Sequence, residues 1–138
     1  MDEVTTGTIG EHICCTRLLK LGFAAQIVNL KTTDLIVDVR NHLIRVQVKS
    51  SWLTFDSNRP NRSSIHFPCC YSGKKKPLNQ SHCDIVAFVN VMSEKVYFLH
   101  ISEIMGQASK RIKKKFFEDP EVEIKSWVKA LKRMGVIK

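Results

Sequence analysis

The sequence predicts a single α/β domain, and three observations carry that expectation. An N-terminal segment spaces its apolar residues at helical intervals, two central segments alternate apolar and polar residues without a break, and a C-terminal segment returns to helical spacing. All three fit within 138 residues, the usual size of one domain, with no internal repeat, low-complexity tract or clear linker. One domain spanning residues 1–138 is therefore expected.

The elements follow in chain order. Gly7 to Leu21 reads as a helix, because Glu11, Cys14, Cys15 and Leu18 recur on one face and Gly22 stands where a helix ends. Phe23 to Val28 reads as a strand. Asp34 to Arg40 and Leu43 to Lys49 read as a hairpin turning at Asn41-His42, since Asn tolerates positive φ. That register sets Arg40 opposite Leu43, Asp38 opposite Arg45, Ile36 opposite Gln47 and Asp34 opposite Lys49. One face then carries Leu35, Val37, Val39, Ile44, Val46 and Val48, and must cover a core; the other carries Asp34, Ile36, Asp38, Arg45, Gln47 and Lys49.

Beyond Trp52 the pattern weakens. Ser64 to Tyr71 reads as an extended arm flanked by basic loops, with the whole basic arm at about 53–83. Asp84 to Val91 and Lys95 to Ile101 form a strand pair around Met92-Ser93-Glu94. A helix is expected to begin at Ser102 and run into the basic stretch Lys110 to Lys115. A last helix, about 121–134, carries Val122, Ile124, Trp127, Val128 and Leu131 and ends near Gly135, with Trp127 in the core or at a subunit contact.

Composition narrows the function. The chain is 43% apolar and has no run of about 18 apolar residues, so no transmembrane helix and no membrane partner are expected. The first residues lack a basic stretch followed by an apolar one, which points to a cytoplasmic protein. A net charge of +9, spread over loops and two C-terminal segments, favours nucleic acid as the partner. Five cysteines, Cys14, Cys15, Cys69, Cys70 and Cys83, form an odd set whose adjacent pairs do not match the gaps of common zinc knuckles, even with His82 added. They read as reduced thiols.

Phosphodiester hydrolysis needs an activated water and stabilisation of the charge on the transition state. A divalent cation held by carboxylates supplies both, and a lysine assists. Asp34, Gln47 and Lys49 share the polar face, and a helix packed on the sheet brings Glu11 to them. Asp34 and Lys49 also admit a plain reading as a cross-strand ion pair. Asp38 lies roughly 13 Å along the strand from Asp34, and with Arg45 opposite it reads as an ion-pair partner rather than a ligand. His42 hints at a histidine-type nuclease but has no partner histidine at suitable spacing, so it reads as a turn residue.

With Thr33-Asp34, then Gln47-Val48-Lys49, and Gly10-Glu11 upstream, the sequence resembles the PD-(D/E)XK nuclease superfamily. The stretch from Asp34 to Ser50 looks most like the small endonucleases associated with group I introns, which tend to carry Gln in the second acidic slot. The likeness extends through GEHICCTRLLKLGF and DIVAFVNV to KVYFLHISEI, leaving out the basic arm and the last helix. It implies a mixed central sheet flanked by helices and a Mg²⁺-dependent DNA endonuclease, with Mn²⁺ as a substitute. It also implies Asp34 as central metal ligand, Glu11 as a further ligand and Gln47 offering its amide oxygen. Lys49 would orient the attacking water and stabilise the phosphate. The partner would be double-stranded DNA. Apart from the resemblance, the charge of the basic arm beside Tyr71 suits phosphate contacts by Arg59, Arg62, Lys74, Lys75 and Lys76, and so small a chain would need a homo-oligomer, dimer or tetramer, to cut two strands. Two alternatives stay open: a Holliday-junction resolvase, and a DNA-binding module that has lost catalysis, for which Gln47 in an acidic slot speaks.

Overall fold

The computed structural model describes residues 2–52, 63–71 and 76–138. Helix α1 (Glu3–Lys20) opens on Asp2, whose carboxylate accepts the Thr5 amide at 2.7 Å, and it carries Glu3 in the first turn and Arg17 and Lys20 in the last. These charges oppose the partial charges at the helix ends. The helix begins one turn earlier than its apolar spacing indicates, because Asp2 supplies the cap. Gly22, at φ +94°, lets the chain leave it.

Five strands form the main sheet in the order β1 (Ala24–Ile27), β2 (Leu35–Val39), β3 (His42–Ser51), β7 (Ile85–Asn90) and β8 (Lys95–His100). Only β3 and β7 run parallel, so the sheet is mixed. The long connection between them contains β4 (Ser64–Pro68), β5 (Cys70–Tyr71) and β6 (Lys76–Pro77). Every residue of β7 is buried, as expected of a central strand covered on both faces.

The two faces follow from alternation along β2 and β3. Leu35, Val37, Val39, Ile44, Val46 and Val48 bury beneath α1 and the C-terminal helix α3 (Val122–Met134). Trp127 is fully buried there, with Phe98 and Phe23 edge-on at 4.9 and 5.6 Å. Burying such side chains contributes about 1.5–3 kcal/mol each. The opposite face presents Val86, Phe88 and Leu99, covered by Ile65, Phe67, Ile112 and Phe117. The molecule thus has three layers, with α1 and α3 on one side of the sheet and a smaller β layer on the other. Glu123 is buried in α3, accepting from Arg17 at 2.8 Å and from the Val96 amide at 2.9 Å, which ties both helices to the sheet.

The hairpin departs from the expected register by two residues. Val39 pairs with His42 and Leu35 with Val46, so the turn is Arg40-Asn41, both at positive φ. The Asp38 carboxylate fixes it by accepting the Asn41 amide at 3.1 Å. A slip of two preserves both faces, which is why the core assignment stands. It does not preserve partners. Asp38 lies opposite Leu43, and Arg45 instead pairs with Asp84, its Nη2 lying 3.0 Å from the carboxylate and also donating to the Gln80 carbonyl, while Nη1 donates to the Ser81 carbonyl. The expected Asp38–Arg45 ion pair is corrected accordingly.

The expected helix from Ser102 through Lys115 is also corrected. His100 caps a single 3-10 turn over Ile101–Glu103, and Gly106 at φ +78° breaks the chain's path. The basic stretch that follows is strand β9 (Ser109–Lys113), paired antiparallel with β4. A short helix α2 (Lys115–Glu118) then leads to α3. No helix among the described residues is long and apolar enough to cross a membrane.

Candidate functional site

The site forms where β2 stops and β3 runs on. Arg45 turns its amide toward Asp84 on the β7 side, so the amides of Val46 and Val48 face β2. A continuing β2 would bond Val48. Instead the chain leaves register at Asp34. Its amide reaches the Val46 carbonyl at 2.9 Å, its carbonyl accepts from Val28 at 2.9 Å, and its carboxylate takes the Val48 amide at 2.8 Å. Asp34 is therefore anchored in the plane of the sheet, at a point open to both layers. It does not sit cross-strand from Lys49 as the sequence register indicated, yet Lys49 remains close enough for its charge to favour the Asp34 carboxylate.

Glu11 comes from the helical layer. α1 buries Gly10, Cys14 and Leu18 against the sheet, and Glu11 lies half-buried on the flank of that stripe rather than in it. A Cβ on Gly10 would overlap the Ser50 side chain, standing 2.7 Å from its Cβ, so only glycine lets α1 approach β3 this closely. Glu11 and Asp34 meet within hydrogen-bonding reach. Burial first, then the Asp34 charge and the shared hydrogen bond, push the Glu11 carboxyl up to about 7. Burial also raises Asp34, against the opposing pull of the Val48 amide, Glu11 and Lys49.

Gln47 and Lys49 come from β3, abreast of Val86 and Phe88 of β7 and thus on the face of the second layer. The Lys49 ammonium donates to the Cys70 carbonyl in β5 at 2.6 Å, and burial lowers its pKa. Gln47 Oε1 is buried without a hydrogen-bond partner, as is Ser50 Oγ; these are two of three such side-chain atoms among the described residues. A buried acceptor left unpaired costs about 1–3 kcal/mol. That cost points to a group that this oxygen meets at some stage of function.

Of the four sequence-predicted catalytic residues, Glu11, Asp34 and Lys49 come together here, whereas Gln47 is placed by its strand alone, two residues from Lys49 on the same face. Beside them opens a cleft of about 500 Å³ lined by Glu3, Gly7, Lys49, Ser51, Trp52 and His66. A cavity of about 310 Å³ on the outer side of α1, lined by His12, Arg17, Lys20 and Glu94 among others, includes none of them. The predicted DNA contacts divide. Lys76 is exposed on β6, opposite Tyr71, whereas Arg59, Arg62, Lys74 and Lys75 lie outside the described residues. Sequence reasoning missed the Cys70 carbonyl that holds Lys49 and the contact of Gly10 with Ser50, neither of which leaves a local signal. The thiols of Cys69 and Cys83, pushed up to about 11 and 12 chiefly by burial, stay neutral, and among the described residues no three His, Cys, Asp or Glu gather as a metal-binding group.

No protein-family model and no curated protein sequence matches the chain. A solved structure does: a bacterial homing endonuclease, I-Ssp6803I, superposes with a TM-score of 0.62 and 19% sequence identity, covering 82% of this chain and 76% of that one. The chain is similar in fold to that homing endonuclease. The likeness spans most of both chains and agrees with the mixed sheet and flanking helices described above.

Proposed function

We propose that the chain is a metal-dependent endonuclease that hydrolyses phosphodiester bonds of double-stranded DNA, a site-specific homing enzyme of the PD-(D/E)XK type. The observation that carries this reading is the meeting of Glu11 and Asp34 near Lys49, which lines an open cleft, with Gln47 on the same strand face as Lys49 and its oxygen without a partner among the described residues. The likeness in fold to a bacterial homing endonuclease supports it.

The donor set fits a hard cation. Asp34, Glu11 and the Gln47 amide offer oxygen only, the preference of Mg²⁺ and, as a substitute, Mn²⁺. Burial raises both carboxyl groups and the Asp34 charge raises Glu11 further, an arrangement that a cation relieves. The shortage of a third charged ligand agrees with a site completed by a phosphate oxygen of the DNA. Held by Asp34, Glu11 and the Gln47 amide, a cation would supply Lewis-acid stabilisation of the phosphate and a more acidic attacking water. The chain's own residues do the rest. The Val48 amide and the Glu11 contact fix the Asp34 carboxylate, and the Cys70 carbonyl aims Lys49. Burial, by lowering the Lys49 pKa, prepares that group to exchange a proton with the attacking water or to meet the charge growing on the phosphate.

The test is incubation of wild type and Lys49→Ala with linear duplexes and four-way junctions, with and without Mg²⁺. Metal-dependent duplex cutting, lost by at least about 100-fold in the variant, is the expected result. Junction-only cutting would assign a resolvase. Binding without cutting would assign a module that has lost catalysis.

A further inference from the structure

We propose that the outer face of the β4–β9 ribbon enters the major groove of duplex DNA and reads base edges there through Arg111, with Lys113 on the backbone beside it. The inference rests on the nuclease reading and deepens it, by naming the surface that selects sequence.

The ribbon has two unlike faces. Its five ladder pairs run from Ser64–Lys113 to Pro68–Ser109. Ile65, Phe67 and Ile112 point inward and are buried, with Phe67 against Phe88 at 5.1 Å and Phe117 at 6.1 Å, so the ribbon is fixed to the main sheet. The alternate residues Ser64, His66, Pro68, Ser109, Arg111 and Lys113 form the outer face, and His66, Arg111 and Lys113 are exposed.

Charge and shape say what this face meets. Arg111 and Lys113 stand on it and Lys114 and Lys115 come directly after, whereas Lys110, opposite Phe67, is on the inner side; the ion pairs among the described residues include none of them. No exposed large apolar side chain lies on the ribbon to anchor it in a lipid surface or an apolar groove. Five residues of strand span about 17 Å, and two strands about 4.8 Å apart fit a groove about 12 Å wide. Arg111 and Lys113 stand about 7 Å apart along the strand, roughly two base-pair steps. A guanidinium carried on a rigid support is suited to the paired acceptors on the major-groove edge of guanine. The ribbon also adjoins the proposed chemistry, since His66 and Pro68 line the same cleft as Lys49, and His66 lies directly opposite Arg111.

The experiment selects bound and cut sequences from a pool of duplexes with a randomised segment. It compares the full wild-type chain with Arg111→Ala, Arg111→Lys, Lys113→Ala and, as a control of equal charge change on α3, Lys132→Ala. Thermal melting checks that each variant folds. Arg111→Ala should lose about tenfold of the preference at a single base-pair position, only partly restored by Arg111→Lys. Lys113→Ala should weaken all sequences alike and lower the slope of log Kd against log salt by about 0.9. Lys132→Ala should change neither. A wild type that binds duplex with a preference left intact in Arg111→Ala would overturn the ribbon's role and leave the nuclease reading standing. So would a uniform loss of affinity in that variant, or a wild type that binds duplex without any preference. A wild type that neither binds nor cuts any duplex would overturn the nuclease reading, and this inference with it.

Discussion

Glu11 ties the stability of the fold to pH through one half-buried carboxyl group. Its pKa rises from an ordinary 4.5 to about 7, first through burial and then through the Asp34 carboxyl beside it. The fold therefore binds this proton more tightly than the unfolded chain does. That stabilisation is complete below about 4.5 and is gone above about 7. In metal-free protein the melting temperature should fall as pH rises through this window, and in Glu11→Gln that component should vanish, leaving the variant the more stable of the two at pH 8. Melting both proteins across the pH range checks this, and curves that stay parallel would mean that Glu11 does not titrate in the site. Gln47 poses the complementary question, because its unpaired oxygen can ligate a cation but brings no charge. Gln47→Glu should raise the affinity of the free protein for Mg²⁺ or Mn²⁺ by about tenfold or more. The gain follows from an added charge near the ion, about 4 kcal/mol for unit charges 4 Å apart at an effective dielectric of 20, less the cost of burying it. Calorimetric titration decides: equal affinities would place Gln47 outside the metal site.

At the scale of elements, the packing of α1 on β3 sets the geometry of the proposed site. Gly10 permits the contact and Glu11 follows it directly, so displacing the helix moves a proposed ligand. Gly10→Ala should cost about 1–3 kcal/mol through overpacking and reduce cleavage. Adding Ser50→Gly, which removes the obstructing side chain, should restore much of both. Denaturant unfolding and a cleavage assay on the single and double variants check this, and a double variant no better than Gly10→Ala alone would disprove the steric account. The same elements show what the sequence made legible. The faces of β2 and β3 could be read because a two-residue slip leaves parity unchanged, and Gln47 and Lys49 kept their places for that reason. The turn itself could not, because the Asp38 carboxylate fixes it. Asp34 could be named but not placed, because its anchor is an amide exposed only where β2 stops. Strand β9 was hidden because its partner lies far back in the chain and only Ile112 within it is buried among charges, a pattern that reads equally well as a solvated helix.

At the scale of the whole molecule, the described chain holds one copy of the proposed site of Glu11, Asp34, Gln47 and Lys49, whereas the strands of a duplex run in opposite directions. One centre acts on one strand in a given orientation, so cutting both strands in a single encounter requires two chains related by symmetry on the DNA. The proposed homo-oligomer, dimer or tetramer, rests on this geometry. It can be tested with a supercoiled plasmid carrying a site selected for cleavage. Wild type alone should give linear product. Wild type co-refolded with increasing shares of Lys49→Ala, so that subunits mix, should accumulate nicked circles. The linear yield should fall as the square of the wild-type fraction and total strand cutting only as its first power, because a mixed pair keeps one working centre. Linear product that falls as the first power would mean that a single chain turns over on both strands in succession. The symmetric assembly would then be unnecessary for cutting.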